Sequence, residues 1–260
     1  MDVVYKSLIF GTFSRKGNYL SQLEEKVVDN FIRDSQTHTP RRILSSWALT
    51  LLKTNTPTGN WTLQPITNQT VAIIGAGISG LRCASILLEQ GVSCALFDKS
   101  RGFGGRTSTR REDNWRFDHG AGYFSGTDPD FLNHIKTLRL WQPIGAQPQE
   151  QLYVGSTGNN ELAKNIAAAI TPYSPETLSI HLGSTITKVT PAKTKGWQLS
   201  SNEGETFGPF DLVIITAPPP QALNLIADVE SCITQHLSSL QTYCTWALML
   251  VTKGRLAIPD

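Results

Sequence analysis

Thr70-Val71-Ala72-Ile73-Ile74-Gly75-Ala76-Gly77-Ile78-Ser79-Gly80 is the stretch that decides the fold. An apolar, β-branched run leads straight into three glycines at G-x-G-x-x-G spacing. This predicts a buried strand, a tight turn and then a helix that runs through Leu88. Gly91 stands where a helix end favours a left-handed residue, and Val92 to Phe97 reads as a second buried strand ending in Asp98. Strand, glycine turn, helix, strand and acid follow one another within about thirty residues, the arrangement of a βαβ dinucleotide site.

Each glycine has a physical reason. The first permits the tight turn, the second lets a pyrophosphate approach the backbone, and the third allows close helix–strand packing. The unpaired N–H groups and the dipole of the following helix then favour an anion. The cofactor-binding candidates of this turn are Gly75, Gly77, Ser79 and Gly80. Asp98 falls eighteen residues after Gly80, where a carboxylate can accept hydrogen bonds from ribose hydroxyls and disfavours a 2′-phosphate. At this point the dinucleotide is NAD or FAD.

Working outward, Lys99-Ser100-Arg101-Gly102-Phe103-Gly104-Gly105-Arg106 follows the acid at once. Acid, a short spacer and Gly-Gly-Arg resembles the glutathione-reductase-type flavoproteins of the amine-oxidase branch. In those proteins the paired glycines and the arginine run along the FAD pyrophosphate. Lys99, Gly104, Gly105 and Arg106 are cofactor-binding candidates on that resemblance. Phe117-Asp118-His119-Gly120-Ala121-Gly122-Tyr123-Phe124 is similar to the D-x-G-A-Q-Y-F segment of renalase-like proteins, which passes close to the flavin. It adds Gly120 and Ala121, and departs from the pattern at Gly122, where glutamine is usual. Tyr153 to Gly158 resembles the next landmark, in which a Pro-Gly-Met core is commoner. Thr185-Ile186-Thr187-Lys188-Val189 is similar to the strand whose backbone meets the adenine, which adds Ile186. Asp211 to Pro218 looks like the strand and turn that close the nucleotide domain.

The resemblance runs from about Thr70 to Pro220. It implies an α/β fold: a Rossmann-like FAD/NAD(P)-binding domain over 70–114 and 151–221, with an interleaved, incomplete α+β substrate domain over 115–150 and 222–260. Nothing after Pro220 matches the late Gly-Asp segment of these flavoproteins, so the chain reads as a C-terminally truncated member. The implied activity is FAD-dependent. The flavin accepts a hydride from a small molecule with an oxidisable C–H next to nitrogen, an amine or a reduced nicotinamide nucleotide, and is reoxidised by oxygen. No catalytic residue is assigned. The rival readings are a non-catalytic dinucleotide-binding protein and an NAD-dependent dehydrogenase, the latter leaving Gly104-Gly105-Arg106 unexplained.

The remaining residues bound this reading. A formal charge of +2 over 260 residues does not suggest a nucleic-acid partner. Within the cluster Arg101, Arg106, Arg110, Arg111 and Arg116, Arg106 reads as a phosphate contact and the others as solvated surface. Cys83, Cys94, Cys232 and Cys244 lack metal-ligand spacing and read as reduced and mostly buried, with no metal site expected. No apolar run reaches membrane-span length and the first twenty residues carry no signal-peptide pattern, so a cytoplasmic protein with no membrane partner is expected. His119 beside Asp118 invites an acid–base role, but hydride transfer to a flavin need not use a base. Two of Tyr123, Phe124 and Trp141 are expected in the core, and Asp128-Pro129-Asp130 reads as a helix start. Further expectations are a helix over 160–170, strands over 178–182, 185–189, 196–199 and 212–215, a helix over 222–226 and a strand over 243–251. Residues 1–69 read as an N-terminal extension with weak helical patterns.

Overall fold

The computed structural model describes residues 69–141, 151–193, 195–229, 232–243 and 246–251, so the expected extension over 1–69 lies outside the described residues but for Gln69. Strand β1 (Thr70–Ile74) enters helix α1 (Ile78–Glu89), and β2 (Ser93–Asp98) returns beside β1. Four residues of β1 and four of β2 are buried in unbroken runs, as strands covered on both faces require. Gly91, at φ +74°, turns the chain out of α1 as expected.

A hairpin follows, β3 (Thr109–Glu112) with β4 (Trp115–Asp118), and then α2 (Pro129–Ile135). Asp128 caps α2 by accepting the Phe131 N–H at 2.9 Å, so the Asp-Pro-Asp stretch is the helix start that was expected. Strands β5 (Arg139–Trp141) and β6 (Leu152–Val154) pair antiparallel, and α3 (Asn160–Ile170) leads to β7 (Leu178–Leu182). Strands β8 (Ile186–Pro191), β9 (Trp197–Ser201) and β10 (Thr206–Phe210) form an antiparallel sheet before β11 (Leu212–Ile215), α4 (Pro219–Leu225) and α5 (Cys232–Ser239).

The central sheet has the order β11-β1-β2-β7, and every pair in it is parallel. Strand alternation divides its side chains between two faces. Ala72, Ile74, Ala95 and Phe97 pack with Ile186, Val189 and Leu199 of the antiparallel sheet and Leu225 of α4. Phe97 is the centre of that layer: His181 stacks on it at 4.7 Å, and Phe207 and Phe210 meet it edge-on at 4.9 and 6.1 Å. Helix α1 packs on β1 and β2 and against α3.

Three expectations change. Strand β10 and the β3–β4 and β5–β6 pairs were not anticipated, since these strands are only three to five residues long and, apart from β6, largely exposed. Helix α4 starts at Pro219 and not Ala222, because two prolines fit the first turn, where an N–H has no intrahelical partner in any case. No strand forms over 243–251 among the described residues. Trp246 is 97% and Leu248 83% exposed, and a β-propensity run without a neighbouring strand has no ladder to join.

Cys83 on α1 and Cys94 on β2 are free and buried, and burial pushes both thiols up to about 12. Their folded pKa lies above the ordinary 9.0, so the stability they contribute is complete below that pH and is lost as pH climbs toward 12. At about pH 8, where an exposed thiol is partly ionised, both should resist iodoacetamide in the folded chain and label quickly in guanidinium. Peptide mass spectrometry reads the result, and fast labelling of the folded chain at either position would contradict this packing.

Candidate functional site: a double-glycine crevice

The three glycines of the first turn are fixed by backbone contact. Gly75, at φ +115°, donates its N–H to the Phe97 carbonyl at 2.7 Å, which ties the turn to the end of β2. A Cβ on Gly80 would lie 1.8 Å from the Gly75 carbonyl oxygen, so only glycine lets α1 start so close to β1. Gly77 is the N-cap of α1. It offers no side-chain cap, and no acid sits in the first turn, which leaves the first N–H groups of the helix open to an anion. Ser79 lies half-buried in that first turn.

The second glycine segment lies directly against the first. Gly104 donates its N–H to the Ala76 carbonyl at 3.1 Å, and a Cβ on Gly105 would stand 3.2 Å from the Gly77 Cα. Gly104 and Gly105 both adopt positive φ, +136° and +54°, and a short 3-10 turn, Gly105–Thr107, carries Arg106. The Arg106 side chain is exposed, with no acidic partner among the described residues. Asp98 joins the two segments: one carboxylate oxygen accepts the Ala76 N–H at 2.6 Å and the other the Ser100 N–H at 2.7 Å. An ionised carboxylate has about four lone-pair sites, so two acceptor positions remain.

Beside this crevice, at the C-terminal ends of β1 and β2, is a cavity of about 420 Å³. Gly75, Asp98, Lys99, Ile186, Thr216 and Asn224 are among its lining residues. Ser184 also lines it, and the Ser184 hydroxyl is buried without a hydrogen-bond partner among the described residues. A buried hydroxyl left unpaired costs about 1–3 kcal/mol, so it fits a wall that meets a polar ligand.

Gly120 and Ala121 sit on the backbone of the arginine turn. Ala121 donates its N–H to the Arg106 carbonyl at 2.9 Å, and a Cβ on Gly120 would fall 1.9 Å from the same oxygen. Asp118 does not pair with His119, which is exposed. Its carboxylate accepts from the Thr109 hydroxyl at 2.6 Å and the Asn159 N–H at 2.8 Å. Phe124 is the core member of the aromatic trio, while Tyr123 and Trp141 meet each other at 6.0 Å, with Tyr123 exposed. A Cβ on Gly122 would meet nothing within 4 Å among the described residues. Arg111 and Arg116 are opposed across β3 and β4. Burial first, and then these two charges, hold Lys164 below the usual ammonium range.

Residues 73–138 match the family model of the NAD(P)-binding Rossmann-like domain, and residues 145–239 match that of the flavin containing amine oxidoreductases. Renalase of Mus musculus is 25% identical over 180 residues, covering 64% of this chain and 52% of renalase. These matches support a renalase-like reading of the chain, within the amine-oxidase branch. A carotenoid 3,4-desaturase of Haloarcula japonica is 32% identical over 88 residues, covering 34% of the chain and 16% of that enzyme. The chain thus spans about half the length, or less, of these curated relatives. Among solved structures, a CLA-producing fatty acid isomerase from P. acnes aligns at TM-score 0.48 with 11% identity, covering 66% of this chain and 64% of the isomerase. The match to the flavin containing amine oxidoreductases indicates FAD as the cofactor. The two glycine backbones and the unpaired Ser184 hydroxyl beside Asp98 fit such a dinucleotide.

Three residues of this arrangement escaped the sequence reading. Thr216 lies so near Gly75 that its Oγ1 would be 2.3 Å from a Cβ there, and that hydroxyl also donates to the Ile74 and Gly75 carbonyls at 3.1 Å. Ser184 and Asn159 are single polar residues in ordinary turns, and nothing in their residue type marks them. Gly80→Ala should destabilise the chain by about 1–3 kcal/mol or more in a urea melt, since the added methyl overpacks against fixed backbone. Gly102→Ala, four residues before Arg106 and with open space around a Cβ, should stay within about 0.5 kcal/mol of the parent.

Proposed function

We propose that this chain is the FAD-holding part of an oxidoreductase that takes a hydride from a small molecule with an oxidisable C–H next to nitrogen, an amine or a reduced nicotinamide nucleotide, with oxygen as the reoxidant. The observation that carries the reading is the contact between the two glycine segments beside a cavity lined by Asp98. A plain nicotinamide dehydrogenase needs the first glycine turn only. The match of residues 145–239 to the flavin containing amine oxidoreductases supports both the flavin and the nitrogen-bearing substrate class.

In this reading the open N–H groups at Gly77, Ser79 and Gly80 bind pyrophosphate, with Gly104, Gly105 and the Arg106 guanidinium closing on it from the other side. Asp98 takes ribose hydroxyls on its remaining lone pairs, and Lys99 and Ile186 border the adenosine half. Gly120 and Ala121 lead from the arginine turn toward the flavin half. Bound FAD supplies the isoalloxazine ring that accepts the hydride, and the protein supplies orientation and exclusion of water. Segments 70–114 and 151–221 form the nucleotide domain, with 115–150 and 222–260 contributing to a substrate domain. The location proposed is the cytoplasm, and among the described residues no helix is long and apolar enough to cross a membrane.

An absorbance spectrum of the purified full chain, with and without added FAD, tests this. Protein-bound flavin bands are expected, and their bleaching by a panel of amines and dihydronicotinamides would identify the substrate class. A colourless chain that cannot be reconstituted would overturn the flavoenzyme and leave at most a nucleotide-binding protein. Arg106→Ala should weaken FAD binding about tenfold or more, the loss expected for one charge-assisted phosphate contact.

A further inference from the structure

Asn159 is wholly buried, with 0% exposure, and both ends of its side chain are used. Its Oδ1 accepts the Gly155 N–H at 2.9 Å, and its Nδ2 donates to the Ala121 carbonyl at 2.7 Å. Its backbone N–H is held by the Asp118 carboxylate at 2.8 Å, and Asp118 is itself steadied by the Thr109 hydroxyl. Burying an amide is costly unless such partners are present, and a fully satisfied buried network rigidifies what it joins.

What it joins is the arginine turn. The Ala121 residue is gripped from two sides: its carbonyl by Asn159, and its N–H by the Arg106 carbonyl at 2.9 Å. The Arg106 turn begins at Gly105, whose backbone lies against Gly77. A continuous path of hydrogen bonds therefore runs from Asn159 through Ala121 to the segment that faces the first glycine turn. None of Asn159, Ala121, Asp118 or Arg106 lines the cavity beside Asp98. The clamp on the arginine turn thus lies apart from the cavity lining.

We propose that Asn159 is a positioning residue: through Ala121 it sets the Arg106 turn, and so governs affinity for the pyrophosphate and flavin half of FAD without affecting the adenosine half. The proposal rests on the FAD reading for its ligand, but the clamp itself is a property of the chain alone.

Asn159→Asp tests it, because the near-isosteric carboxylate can still accept from Gly155 while the donor to Ala121 is lost. Calorimetric titration of the full chain with FAD and, separately, with AMP should show FAD weakened about tenfold and AMP changed by less than about twofold. Hydrogen exchange of the chain without added nucleotide should quicken at 104–108 and 119–123 and stay unchanged at 184–189. Equal weakening of both ligands, unchanged FAD affinity, or faster exchange spread over the whole chain would each overturn the proposal. Where the variant does not fold by circular dichroism, Asp118→Ala, on an exposed carboxylate at the other end of the clamp, is measured in the same way. Failure of the parent chain to bind FAD would overturn the cofactor reading, and the exchange pattern alone would then decide the clamp.

Discussion

The contact between two backbones that carry no side chains, Gly77 and Gly104-Gly105, is the constraint on which the site depends. The Gly104 N–H reaches the Ala76 carbonyl at 3.1 Å, and the Gly105 Cα region lies within van der Waals reach of Gly77. A Cβ on Gly105 would stand 3.2 Å from the Gly77 Cα, closer than ordinary contact, and would push the two turns apart and Arg106 with them. The positive φ values of Gly104 and Gly105 add a conformational reason to the steric one. Asp98 locks the approach by bonding the backbone of the first turn and of the residue that starts the second segment.

The rest of the fold serves that contact. Phe97 anchors the end of β2 inside an aromatic cluster, so Asp98 leaves the sheet at a fixed point. Asp211, at the head of β11, accepts the Thr70 N–H at 2.9 Å and sets the register of the edge strand whose continuation brings Thr216 against Gly75. On the other side of the crevice the β3–β4 hairpin and the start of α3 meet through Asp118, Thr109 and Asn159, and hold Gly120-Ala121 on the arginine turn. The cavity wall and the arginine turn are therefore built from different elements.

Much of this was legible in the sequence. The β-branched run, the glycine spacing, the acid that ends β2 and the Gly-Gly-Arg segment are local signals, and local signals survive in one dimension because each follows from the steric needs of a few neighbouring residues. The strand expected over 243–251 failed for the converse reason. Its residues have the right propensity, but a strand exists only with a partner, and pairing is not a property of the segment. Helix α4 began earlier than expected because prolines stop a helix only from within it, not at its first turn.

By itself the sequence determined the strand, glycine turn, helix and second strand of a Rossmann-like unit, and a glycine pair before an arginine beyond it, since each of these follows from the steric needs of neighbouring residues. Only the tertiary structure decided that Asp118 serves Asn159 and not His119, that Ser184 and Thr216 belong beside Gly75, and that Ala121 is the link between Asn159 and Arg106. Those facts depend on residues about 40 to 140 positions apart meeting at a few ångströms. Hydrogen bonds between such distant groups are selected by the packing of whole elements, which no local pattern encodes.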